Sequence, residues 1–222
     1  MKDVISNFCK NKENGLFLLD MPTGFGKTYN VLECIFENYD KEEYKNTKFF
    51  FITTLKKNLP FNELRERFVK TGKAAEFDQI AIKLESNVES VINNFDTAYK
   101  TMPESIRSDP KTKALRSQID FYKRNAKTLG EDNADCRKIA EMMQRYEEKD
   151  FHSVIFELLK PLKTAGNKLK AIENDKNFEW IGKLYPAVFS KEKRIFFMTV
   201  DKFILGNTTL LNQLILFIIT QL

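Results

Sequence analysis

The segment Leu16-Phe17-Leu18-Leu19-Asp20-Met21-Pro22-Thr23-Gly24-Phe25-Gly26-Lys27-Thr28 constrains the fold more than any other part of the chain. Its apolar run ends at Asp20 and is broken by Pro22, Gly24 and Gly26. A short continuous apolar run bounded by turn residues is the pattern of a strand buried on both faces, as in a parallel sheet. After the break, Val31, Leu32, Ile35 and Phe36 recur at helical spacing beside Glu33, Glu37 and Asn38, so the order is strand, glycine loop, helix. A second apolar run, Phe49-Phe50-Phe51-Ile52-Thr53-Thr54, follows a polar connection from Asp40 to Lys48. The two runs and the helix between them have the length of a βαβ unit. That places the loop at the carboxyl end of a strand, where open α/β sheets bind ligands.

The loop residues suit a phosphate chain. Gly24 and Gly26 allow backbone conformations that turn successive N–H groups inward, and without side chains they let phosphate oxygens approach. Lys27 reaches the β- and γ-phosphates in such a loop, and the Thr28 hydroxyl is placed for Mg²⁺. The helix that starts near Lys27 turns its positive end toward the same anion. Thr23, Gly24, Phe25, Gly26, Lys27 and Thr28 are therefore the candidate nucleotide-binding residues, with Thr28 the candidate metal ligand. A glycine turn that merely precedes a Lys-Thr pair is the other reading, and the strand before and amphipathic helix after weigh against it.

The wording of the loop, Pro22-Thr23-Gly24-Phe25-Gly26-Lys27-Thr28, resembles motif I of superfamily 2 helicases and translocases of DEAD/DEAH type, with Met21 in place of the family's usual small residue. Phe51-Ile52-Thr53-Thr54-Leu55 resembles motif Ia. Phe197-Met198-Thr199-Val200-Asp201-Lys202-Phe203-Ile204 resembles the later T-x-D-x-hydrophobic element, with Leu184-Tyr185-Pro186-Ala187 upstream as in some CRISPR-associated helicases. The resemblance implies an α/β fold, a P-loop RecA-like parallel sheet with a long helical insertion. It also implies ATP and Mg²⁺ as cofactors and DNA or RNA as partner, and it makes Thr53, Thr54, Lys56, Thr199 and Lys202 candidates for contacting the phosphates of a bound strand. Threonines that end strands are also ordinary β-formers, and Lys56-Lys57 also reads as a solvated loop.

ATP hydrolysis in that family uses a strand ending in Asp-Glu-x-His/Asp, whose carboxylates hold Mg²⁺ and position the attacking water. No such sequence occurs in the chain. Leu214-Ile215-Leu216-Phe217-Ile218-Ile219 has the character of that strand, yet Ile219-Thr220-Gln221-Leu222 stands where the acidic pair belongs. The expectation is thus the N-terminal RecA-like domain of a helicase, truncated at motif II, with its catalytic acid unassigned and a second RecA-like domain supplied by a longer chain or a partner. The alternative is a non-catalytic nucleotide- or nucleic-acid-binding module, a relic or a regulator of a full helicase.

The expected division is 1–63 for the first part of the P-loop domain, 64–184 for the helical insertion, and 185–222 for the return to the sheet. Between Leu64 and Leu184 apolar residues thin out, charges become dense and β-branched runs vanish. In that stretch Tyr99, Tyr122, Tyr146 and Trp180 lie among many basic residues and read as helical core, the other reading being stacking aromatics of a nucleic-acid surface, and His152 reads as structural. Sheet character returns at Arg194-Ile195-Phe196-Phe197-Met198-Thr199.

Composition excludes rather than identifies. The 222 residues are 42% hydrophobic and include 20 Phe but only 8 Gly, ample for a core and unlike collagenous or disordered chains. With 36 Lys and Arg against 31 Asp and Glu, the net charge of +5 allows a polyanionic partner without demanding one. Three cysteines without CxxC spacing argue against a disulfide framework or a zinc site, and one histidine leaves little for imidazole relays. No apolar signal-peptide core and no bilayer-length apolar run are present, so the expectation is a cytoplasmic protein with no membrane partner.

Overall fold

The computed structural model describes residues 26–131, 133–200 and 202–203, together with Asn7 and, as backbone alone, 214–218. The expected strand at Leu16–Leu19 lies outside the described residues, as do loop residues Thr23, Gly24 and Phe25. The chain divides into two compact units, residues 1–84 with 191–222, and residues 85–190.

The first unit is α/β. Helix α1 (Lys27–Asn38) leads to strand β1 (Lys48–Thr53), helices α2 (Phe61–Lys70) and α3 (Ala74–Ile80), and strand β2 (Ala81–Lys83). Strands β3 (Ile195–Thr199) and β4 (Leu214–Ile218) follow the second unit. The four strands form one parallel sheet in the order β2-β3-β1-β4. Strand β1 is buried along its length after Lys48 because both of its faces are covered.

Alternation along β1 and β3 separates two cores. Phe49, Phe51, Ile195 and Phe197 face α1, α2 and α3, which contribute Leu32, Ile35, Leu64, Phe68 and Phe77. Phe50, Ile52, Phe196 and Met198 face the other way with Ile82, and Leu84, Val200 and Phe203 pack against them. Parallel register sets Phe50 beside Phe196, with ring centroids 4.7 Å apart and planes 9° from parallel. Burying each such ring contributes about 1.5–3 kcal/mol.

Residues 64–84, expected in the helical region, belong to the sheet unit. The reason is aromatic: Phe68 and Phe77 are fully buried against the sheet face, with ring centroids 5.1 Å apart. Strand β2 follows directly from α3 and pairs with β3. The Lys193 ammonium donates to the carbonyls of Asp78 and Gln79, 2.8 Å each, tying the last turn of α3 to the entry of β3.

The second unit is helical: α4 (Asn87–Tyr99), α5 (Glu104–Arg107), α6 (Pro110–Leu129), α7 (Ala134–Arg145), α8 (Glu147–Leu159), α9 (Ala165–Asn174) and α10 (Glu179–Leu184). Its helix starts are signalled locally. Ser86 and Glu89 form a reciprocal capping box at α4, and Asp109, Asn133 and Thr164 cap α6, α7 and α9. Phe95, Phe151 and Trp180 are buried together at the centre, and the Trp180 indole donates to the Asn177 carbonyl at 2.9 Å. Of the four aromatics expected in a helical core, Trp180 is buried and Tyr99 and Tyr122 pack at its edge, whereas Tyr146 is 61% exposed. Among the described residues no helix is long and apolar enough to cross a membrane.

Candidate nucleotide and nucleic-acid site

Gly26 stands immediately before α1 with φ 68° and ψ 29°. This left-handed conformation costs an L side chain roughly 1–2 kcal/mol, so glycine belongs there. Its carbonyl accepts twice from Asn30, from the backbone amide at 3.0 Å and from the side-chain amide at 2.8 Å. The turn into the helix is thereby fixed at the point where the chain emerges from the glycine loop. Lys27 and Thr28 are the first two helical residues and both are half-buried.

Helix α1 has no side-chain cap and no acidic residue in its first turn. Its N-terminal dipole is therefore uncompensated by a carboxylate of its own, a setting that favours an external anion. Tyr29 is 62% exposed, and the Arg67 guanidinium lies over its ring, 4.4 Å from the centroid. Arg67 is itself held by an ion pair with Glu33 of α1 and also donates to the Tyr29 carbonyl at 3.4 Å. One face of the first turn is thus braced by α2. Sequence reading missed this brace because Arg67 is 38 residues from Tyr29, although the i,i+4 spacing of Tyr29 and Glu33 is visible.

The candidate nucleic-acid residues gather at the carboxyl ends of two neighbouring strands. Thr53 closes β1, Thr199 closes β3, and the two are Cα partners. Thr53 is buried, and its hydroxyl donates to the Leu55 carbonyl at 2.8 Å, which ties the strand end to the loop after it. Thr54 and Lys56 are exposed on that loop, beside Leu55 at 52% exposure. Thr199 and Lys202 are half-buried, and the Lys202 amide donates to the Thr199 hydroxyl at 3.4 Å. Thr54 and Lys56 are thus the solvent-exposed members of the set, and the hydroxyls of Thr53 and Thr199 take part in hydrogen bonds within the chain.

Glycine in its left-handed turn, a lysine and a threonine at the first helical positions and a first turn that carries no acid are groups that could hold a phosphate chain. A single hydroxyl, from Thr28, fits one position of an Mg²⁺ that keeps several waters. No protein-family model matches this chain, and no curated protein matches it.

Proposed function

We propose that this chain is the ATP-binding, RecA-like domain of a superfamily 2 helicase or translocase that acts on DNA or RNA with Mg-ATP. The observation that carries the reading is the left-handed Gly26 turn leading into α1, with Lys27 and Thr28 as the first helical residues. The parallel sheet supports it, because open α/β sheets bind ligands beyond the carboxyl ends of their strands. In this reading the amides from Gly24 to Thr28 cradle the phosphates, Lys27 offsets their charge, and the Thr28 hydroxyl is the protein's ligand to Mg²⁺. ATP supplies the phosphoryl-transfer energy that moves a strand. Thr54 and Lys56 offer polar and cationic groups to that strand, and Thr53 and Thr199 hold the two strand ends in place.

ATP binding and turnover by the purified chain, with and without single-stranded DNA or RNA, tests the proposal beside Lys27→Ala. Turnover that is stimulated by nucleic acid and abolished in Lys27→Ala supports a working motor domain. The chain holds no Asp-Glu-x-His/Asp sequence, and this favours a second outcome: Lys27-dependent Mg-ATP binding without turnover, the behaviour of a non-catalytic nucleotide-binding module. Equal ATP binding by the wild type and Lys27→Ala overturns both readings.

A further inference from the structure

Helix α6 is two-faced. Thr112, Leu115 and Ile119 are buried on one side. On the other, Lys113, Arg116, Lys123, Arg124 and Lys127 share an outer face about 21 Å long, from Lys113 to Lys127. Asp120 is the one acid of that helix, against these five bases. Among the described residues, only Lys123 of the five forms an ion pair, with Asp96 at 2.6 Å, and Arg116 lies over the Tyr99 ring at 4.2 Å. Lys113, Arg124 and Lys127 have no ion-pair partner among the described residues and are exposed.

Arg124 with Lys127 and Lys113 with Arg116 are like-charge pairs at i,i+3, and Lys123 with Lys127 is one at i,i+4. Such pairs mildly oppose helix formation. Asp120, three or four positions from Arg116, Lys123 and Arg124 on the same face, offsets that repulsion within the helix; the positive excess that remains suits a polyanionic occupant. Phe121 stands at the border of the same face, 45% exposed, and is surplus to the buried core. A row of cations beside an exposed ring matches the two requirements of an unpaired strand, a track for phosphates and a platform for a base.

We infer that the outer face of α6 binds the sugar-phosphate backbone of a single-stranded nucleic acid, with Phe121 stacking on one base. This surface belongs to the second unit and Thr54 and Lys56 to the first, and its binding requires no nucleotide. The inference therefore survives or fails independently of the ATP-site reading.

Fluorescence anisotropy of labelled 20-nucleotide dT and rU strands, titrated with the full chain without ATP over a range of salt, is the test. The triple variant Lys113→Glu, Arg124→Glu and Lys127→Glu keeps good helix formers at exposed positions. It should weaken binding at least tenfold and make the slope of log K against log salt shallower by about 2, at roughly 0.7 per lost phosphate contact. Phe121→Ala should weaken binding about tenfold with an unchanged slope. A control triple with the same charge change on other exposed positions of this unit, Lys138→Glu, Lys149→Glu and Lys170→Glu, should lose far less. If the Glu triple does not fold by circular dichroism, the corresponding Gln triple carries the same expectation.

The inference is overturned by equal losses in both triples, by an unchanged salt slope in the α6 triple, or by a wild type that binds neither strand. Competition by polyglutamate as strong as by oligonucleotide, with no effect of Phe121→Ala, also overturns it and marks an acidic-protein surface.

Discussion

Thr53 and Thr199 are Cα partners in the last register of the β1–β3 pairing, and each uses its hydroxyl inside the chain, Thr53 toward Leu55 and Thr199 toward the amide of Lys202. Two of the five candidate strand-contact residues therefore act as anchors of adjoining loops. Thr53→Val keeps the shape and removes the bond to the Leu55 carbonyl. Urea denaturation should show a loss of about 1 kcal/mol with an unchanged m value.

Thr54→Ala and Lys56→Ala touch exposed positions on the neighbouring loop. Both should leave stability within about 0.5 kcal/mol. In the proposed function each should weaken binding of single-stranded nucleic acid severalfold, measured by anisotropy. Unchanged binding in the double variant removes this loop from the strand path.

Gly26→Ala introduces a side chain at φ 68°. Its Cβ would meet the Asn30 amide nitrogen at 3.4 Å, an acceptable contact, so the effect is conformational rather than steric. Denaturation should report a loss of roughly 1–2 kcal/mol, and Mg-ATP affinity should fall more than tenfold. A variant with wild-type affinity argues against the turn as a phosphate cradle.

The brace of Glu33, Arg67 and Tyr29 ties α2 to the first turns of α1. Arg67→Met leaves a half-buried carboxylate without its partner and should cost roughly 1–3 kcal/mol. Combining it with Glu33→Gln should cost less than the sum of the single changes, because the two side chains form one unit. Strict additivity in this double-mutant cycle contradicts a functional ion pair.

Tyr185 titrates in a position where charge is opposed. Burial first, and the adjacent Glu148 carboxylate, to which the Tyr185 hydroxyl donates a hydrogen bond at 3.0 Å, hold the phenol well above its ordinary value of 10.0. A raised folded value means that the native state keeps its proton where the unfolded chain has lost it. The contribution to stability is complete below about pH 10 and declines above it. Stability of the native chain should fall by up to about 1.4 kcal/mol per pH unit there from this one group, and Tyr185→Phe should flatten that slope in alkaline denaturation. An identical slope in the variant refutes the assignment.

Strands β1 and β3 were legible because both faces of each are buried, which makes Phe49–Thr53 and Ile195–Thr199 continuous apolar runs between polar flanks. The helix after the glycine loop was equally legible from Val31, Leu32 and Ile35. Strand β2 was not: Ala81, Ile82 and Lys83 are too short to show a period, and their partners Ile195, Phe196 and Phe197 lie more than a hundred positions on. The boundary near residue 84 was hidden for a related reason. Helix α2 is mostly polar and α3 is short, and they hold the sheet through a few large rings, chiefly Phe68 and Phe77, so local texture reads as the helical region that follows. At the candidate site the Gly26-Lys27-Thr28 pattern was visible as spacing, whereas the inward use of the Thr53 hydroxyl depends on a loop conformation that residue types do not specify.

The chain leaves the sheet at the carboxyl end of β2 and returns at the amino end of β3, although these strands are parallel neighbours in register from Ala81 opposite Ile195. Residues 85–190 are thus the crossover connection itself, grown to a whole unit, rather than a bulge whose two stems sit side by side. A shortened protein that joined Leu84 to Lys191 through a tight turn would be forced to reverse β3. A workable miniature needs a linker that runs back the length of a strand, roughly 16 Å for five residues, and does so with right-handed sense. A single helix of about a dozen residues is the natural substitute, and a chain rebuilt in that way would test the sheet unit free of its helical companion.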